Sequence, residues 1–302
     1  MIVSIKKLHR IYFGFDGKPD PYRGYLSTWS AQLPDYEIFH WNASNLPLDQ
    51  CFFSKMMHEL KDHAFLSDYF RWWILREHGG IYLDADIEIV RGELFNKLIE
   101  DLEASPDIHA LIGIDNKAGG WYTGHSMACK KGSQLAQFMC DAYEGLGPIS
   151  LWRRKIFYFM APQMTALYFA TKGWNVDGMG GSPNLEDPVV RAGVKIYPQE
   201  YFSPMTPRIE NGIGGFVIDG FTDNTCLCHH FSCSWHDETS PYKRAAESSQ
   251  QNVLLNELIA APGDNDINKA KYLLTRTIRI YKAVRNLLRK APKAILAAVK
   301  NS

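Results

Sequence analysis

The chain has 302 residues, 46% of them hydrophobic, enough to bury the core of one large domain or of a main domain with a lobe. Lys plus Arg and Asp plus Glu each number 33, a formal net charge of zero that argues against a bulk electrostatic partner such as nucleic acid. Six cysteines in a chain this long do not look like a disulfide framework, no charged-then-apolar leader precedes the first strand-like residues, and no apolar run reaches the roughly eighteen residues of a membrane span, so a cytoplasmic protein is expected.

In chain order, Leu8 to Phe13 is a short β-prone run closed by Gly14, a first strand ending in a tight turn where backbone can approach a ligand. Tyr25, Leu26 and Trp29 fall at helical spacing, Pro34-Asp35 turns the chain, and Tyr36 to Trp41 follows as a second strand. This β-α-β opening predicts parallel pairing in an α/β sheet. Between Ala64 and His78, Leu66, Phe70, Trp73 and Ile74 recur at helical spacing, with Ser67-Asp68 near the start and Gly79-Gly80 at the end. Asp68 and Arg71 share a face of this helix distinct from the apolar one, which fits either a surface ion pair or a functional one.

The helix feeds into Gly79 to Val90, read as a buried strand that ends in two carboxylates. Side chains two apart in an extended segment point the same way, so Asp84 and Asp86 can converge on one hard cation. The spacing alone is weak evidence. With nineteen Asp in the chain, an Asp-x-Asp pair arises about once by chance, and Asp264-Asn265-Asp266 is a second.

Ile108 to Ile114 reads as another strand and Gly132 to Glu144 as a helix, which puts the motif mid-sheet, where open α/β folds bind ligands at the carboxyl ends of strands. Residues 145–225 are rich in Gly, Pro and aromatics, with short strand signals at Val194 to Tyr197 and Gly215 to Ile218; substrate-facing loops and a small lobe are expected there. Cys226, Cys228, His229, His230, Cys233 and His236 crowd one short stretch. Structural zinc, buried cysteines with backbone-bonded histidines, and one histidine reaching a carboxylate-held metal are the competing readings. From Ile267 to Leu288 an apolar helical stripe faces Lys and Arg, and between Lys269 and Lys300 stand ten basic residues and no acid. Such a helix either lies on an anionic membrane or docks on the domain. The expected division is 1–240 for the main domain and 241–302 for a basic helical tail.

The combined pattern Ser67-Asp68-x-x-Arg71 and Gly79-Gly80-x-Tyr82-x-Asp84-x-Asp86 is far more specific than the carboxylate pair. It resembles the sugar-binding region of DXD glycosyltransferases, specifically glycosyltransferase family 32, and more distantly the glucosylating bacterial toxins. The resemblance extends in order to Leu8 to Gly14, to Trp29 with Leu33 to Glu37, to Trp41-Asn42, to Ile196-Tyr197-Pro198 with Tyr201-Phe202-x-Pro204, and to His229-His230-x-x-x-Ser234-Trp235, leaving the basic tail uncovered.

The resemblance implies a GT-A fold: a nucleotide-binding, Rossmann-like mixed sheet flanked by helices. It also implies a UDP- or GDP-sugar donor, Mn²⁺ or Mg²⁺, and transfer with retention. By the same resemblance, Asp84 meets ribose and metal-bound water, Asp86 ligates the metal, Asp68 and Arg71 hold the donor sugar, and Phe13 and Gly14 face the nucleoside. His229 with Ser234 and Trp235 closes over the diphosphate, and His229 and His230 both stand as candidate metal ligands. One departure is that the strand after the motif offers His125 where the family often carries Asn. The tail suits a lipid-linked or glycan acceptor at an anionic membrane, in surface polysaccharide or lipopolysaccharide synthesis. Two other readings compete: a non-catalytic protein that binds sugar nucleotides or glycans, and an Asp-x-Asp phosphohydrolase, which would need Thr or Val where residue 88 is Glu.

Overall fold

A computed structural model describes residues 4–14, 19–59, 61–114, 122–145, 161–174, 185–210, 213–218, 220–230 and 232. Ser234, Trp235, Cys233, His236, the pair Asp264 and Asp266, and the whole basic tail lie outside the described residues. The first half alternates β1 (Lys7–Ile11), α1 (Arg23–Gln32), β2 (Glu37–Trp41), α2 (Phe52–Glu59), α3 (His63–His78), β3 (Gly80–Leu83), β4 (Ile87–Ile89) and α4 (Gly92–Ala104). There follow β5 (Ala110–Ile114), β6 (Tyr122–Cys129), α5 (Gln134–Glu144), α6 (Ala161–Thr171), β7 (Val189–Arg191), β8 (Val194–Tyr197), α7 (Gln199–Phe202), β9 (Met205–Glu210), β10 (Ile213–Ile218) and β11 (Leu227–His229).

Seven strands make one mixed sheet in the order β2-β1-β3-β6-β5-β8-β7. The β-α-β opening pairs in parallel, and β1 is also parallel to β3, with His9 opposite Tyr82. The sheet turns mixed at β6, which runs antiparallel to both β3 and β5. Alternation along each strand feeds two cores. Ile11, Tyr82, Ile112, Met127 and Ile196 join Phe53, Phe70, Trp72 and Met139 on one face, while Leu8, Ile81, Leu83, Leu111 and Ala128 join Trp29, Phe95, Ile99 and Phe202 on the other. This is the expected mixed sheet flanked by helices.

Several expectations need correction. β8 pairs with β5 and β7 with β8 inside the main sheet, so Val194 to Tyr197 is core and not part of a separate lobe. Among the described residues, β9 and β10 pair as a hairpin outside the main sheet, as β4 and β11 also do as a two-stranded ribbon. α3, by contrast, runs from His63 to His78 as the spacing between Ala64 and His78 predicts, with Ser67 and Asp68 inside its first turns. The helices α2 and α4 add to the predicted set; α4 buries Phe95, Leu98, Ile99 and Leu102 at helical spacing.

The Gly-Gly stop behaves as expected, for a steric reason. Gly79 and Gly80 sit at φ +64° and +101°, and a Cβ on Gly79 would lie 2.8 Å from the Lys131 backbone nitrogen. The Gly79 carbonyl accepts from His9 Nε2 at 2.9 Å, while His9 Nδ1 accepts from Trp41 Nε1 at 3.2 Å. That pair of partners fixes a neutral imidazole, and burial pushes its pKa down to about 4.

Candidate active site

β1 and β3 are parallel, so Phe13 and Gly14 beyond one strand and Asp84 beyond the other open on the same side of the sheet. β3 ends at Leu83, and Asp84-Ala85-Asp86 is a turn, closed by the Ile87 N–H donating to the Asp84 carbonyl at 3.1 Å. The two carboxylates therefore do not meet through strand alternation, as the sequence reading expected. The turn and its neighbours bring them together.

Beyond the turn, β4 pairs antiparallel with β11, and His229 stands opposite Ile87. This register delivers an imidazole from 143 residues downstream to the carboxylates (229 − 86 = 143). His229 Nε2 lies 3.3 Å from Asp86 Oδ1, and the Ser232 N–H donates to Asp86 Oδ2 at 2.8 Å. Burial pushes the Asp86 pKa upward, but the His229 contact and the Ser232 N–H outweigh it and hold the carboxyl well below its usual range. Asp84, Asp86 and His229 offer ligand atoms all within 4.8 Å of one another, a group of metal-binding type among the described residues. Two hard carboxylate oxygens and one imidazole suit Mn²⁺ or Mg²⁺, with the nitrogen favouring manganese.

The other histidine goes elsewhere. His230 Nε2 bonds Glu88 Oε2 at 2.8 Å, and its ring stacks on Tyr25 at 4.4 Å, so the structure brings His229 and not His230 to the carboxylates. Among the described residues, the group of metal-binding type includes neither Cys226 nor Cys228, so the structure gives the zinc reading no support there, and Cys233 and His236 lie outside the described residues.

Behind the turn, Arg71 is buried, which removes the surface-pair reading. Its Nη2 lies 3.2 Å from Asp68 Oδ1 and 3.5 Å from Asp84 Oδ1; Nε donates to the Ser67 carbonyl at 3.1 Å and Nη1 to the Gly124 carbonyl. A Cβ on Gly124 would come within 3.0 Å of Nη1, so glycine leaves the guanidinium its place. The guanidinium also lies over the Tyr82 ring, 5.1 Å from its centroid, and the Tyr82 hydroxyl donates to Asp84 Oδ1 at 2.7 Å. Burial pushes the Asp68 carboxyl up to about 6 against the opposing pull of Arg71. Two carboxylates, those of Asp68 and Asp84, meet this one guanidinium, and Asp86 beyond the turn pairs with His229, a crowding of acidic groups that a divalent cation would balance.

Phe13 stacks on His63 at 5.1 Å and 19°, and Gly14 takes φ +57°. In the sequence His125 stands out only as a departure from the family pattern, and nothing there marks Ser232, Tyr25 or Glu88 for a role at the site. Ser232 contributes a backbone N–H, for which residue type carries no signal.

Residues 19–103 match the model of the glycosyltransferase sugar-binding region containing the DXD motif, a span that includes Asp68, Arg71, Asp84 and Asp86. Among solved structures, the chain is similar to one titled PaToxG Glycosyltransferase at 16% identity and a TM-score of 0.41, covering 55% of this chain and 69% of that one. A second, a glycosyltransferase involved in the glycosylation of the major capsid of PBCV-1, aligns at 14% identity and a TM-score of 0.33, covering 50% and 74%. No curated protein matches the chain.

Proposed function

We propose that this chain, whose residues 19–103 match the glycosyltransferase sugar-binding region containing the DXD motif, is a metal-dependent, retaining glycosyltransferase of the family 32 kind that moves a hexose from a UDP- or GDP-sugar. The observation that carries this reading is the meeting of Asp84, Asp86 and His229 on one side of a turn whose other side is held by Arg71.

Breaking a sugar–phosphate bond builds negative charge on the departing diphosphate and positive character on the sugar ring. A divalent cation bound by Asp84, Asp86 and His229 supplies charge neutralisation for that diphosphate. With side chains 26% and 13% exposed, neither Asp84 nor Asp86 is sealed from solvent. Asp68, held by Arg71, places a carboxylate beside the sugar, and Phe13 with Gly14 lines the way to the nucleoside. Ser234 and Trp235 close over the diphosphate in this reading. No protein base is assigned, because in a retaining transfer the leaving phosphate itself can take the acceptor's proton. The acceptor is a glycan or lipid-linked sugar of surface polysaccharide synthesis, and the basic stretch 269–300 supports contact with anionic lipid; among the described residues no helix is long and apolar enough to cross a membrane.

Incubation with Mn²⁺ and a panel of UDP- and GDP-sugars tests the reading. Slow release of UDP or GDP from one donor is expected. Tight binding of a donor without turnover would favour a binding protein, and phosphate release from simple esters a hydrolase.

A further inference from the structure

β6 departs from regular pairing at the site. Between the pairs Ile112–Met127 and Ile114–Tyr122, the single residue Gly113 of β5 faces four residues of β6, Thr123 to Ser126. Thr123 Oγ1 closes this bulge by accepting from the Gly113 N–H and donating to the Ser126 carbonyl, both at 3.0 Å. Bulges re-aim the residues they carry. Here they turn the Gly124 carbonyl to Arg71 and the His125 carbonyl to the Asp84 N–H, the latter at 2.7 Å.

The His125 side chain is itself buried and doubly held. Its Nδ1 bonds Ser126 Oγ at 2.8 Å, its Nε2 bonds Ser203 Oγ at 2.7 Å, and its ring lies against that of His229 with centroids 4.1 Å apart. With both nitrogens engaged, this imidazole serves as a fixed wall and not as a ligand. Ser203 follows α7, so it brings a separate element to the same point.

We propose that His125, fixed by Ser126 and Ser203, is a positioning residue that orients His229 toward Asp84 and Asp86 and so sets the affinity of the site for a divalent cation. The inference rests on the metal-site reading above. Groups that orient metal ligands typically contribute about 10–100-fold in affinity.

Mn²⁺ affinity, read from the electron paramagnetic resonance signal of free Mn²⁺ titrated with the full chain, tests it alongside thermal melting. His125→Ala should weaken Mn²⁺ about tenfold, and Ser203→Ala, which deletes one oxygen, should shift affinity in the same direction while still melting in one cooperative transition, at a somewhat lower temperature because a buried nitrogen loses its partner. In a His229→Ala background, neither substitution should weaken Mn²⁺ further. Unchanged affinity in Ser203→Ala, or a full loss persisting without His229, overturns the proposal. If His125→Ala does not fold, Ser203→Ala alone decides. Asp86→Ala separates the two levels: if it binds Mn²⁺ as tightly as the parent chain, the site reading falls and this proposal with it. If Asp86→Ala loses Mn²⁺ while Ser203→Ala does not, this proposal falls alone.

Discussion

His9 is a buried imidazole whose two nitrogens are both committed, one accepting from Trp41 and the other donating to the Gly79 carbonyl. Protonation would turn the acceptor into a second donor facing an indole N–H, so the folded state resists it. The folded pKa of about 4 lies below the ordinary histidine value of 6.5. The neutral form therefore contributes stability that is fully present above pH 6.5 and lost as pH falls toward 4, up to about 3 kcal/mol. Urea midpoints across this window should fall for the parent chain and fall less for His9→Gln; equal slopes would contradict the assignment. His9 was legible only as a residue of a β-prone run, because its partners come from β2 and from the end of α3. Arg71 shows the same limit. Its spacing from Asp68 could be read, but its burial depends on the Gly124 carbonyl 53 residues later.

Among the elements, the helices and strands with clear periodicity were legible: α1, α3, α5, β1, β2, β5 and β8 each overlap the stretch the sequence assigns to them, with α3 and β1 starting one residue earlier. The stretch from Gly79 to Val90 was legible as chemistry but not as shape. No glycine or proline interrupts Asp84-Ala85-Asp86, and the break in the strand depends on the His125 carbonyl and on β11, neither of which is local. The Gly-Gly junction is the exception, where local sterics suffice. Gly79→Ala would put a Cβ 2.8 Å from backbone at a positive φ, and should cost about 1–3 kcal/mol in urea denaturation. An unchanged midpoint would mean that this junction is not strained by a side chain.

For the whole molecule, a central sheet with helices on both faces holds the carboxyl ends of β1 and β3 together, and the β4–β11 ribbon folds a distant histidine back onto them. The family model spans the first part of this arrangement, up to residue 103, whereas His229 lies far beyond it. The resemblance of the sequence to family 32 brought both His229 and His230 forward as metal candidates; only register across β4 and β11 separates them. The central claim is that these distant parts form one metal-dependent nucleotide site. Titration calorimetry of UDP and GDP with and without Mn²⁺, on the full chain and on Asp86→Ala, tests it most directly. One nucleotide should bind only with Mn²⁺, and Asp86→Ala should abolish this binding with its melting temperature retained; metal-independent binding, or unchanged binding by Asp86→Ala, would contradict a metal-dependent site.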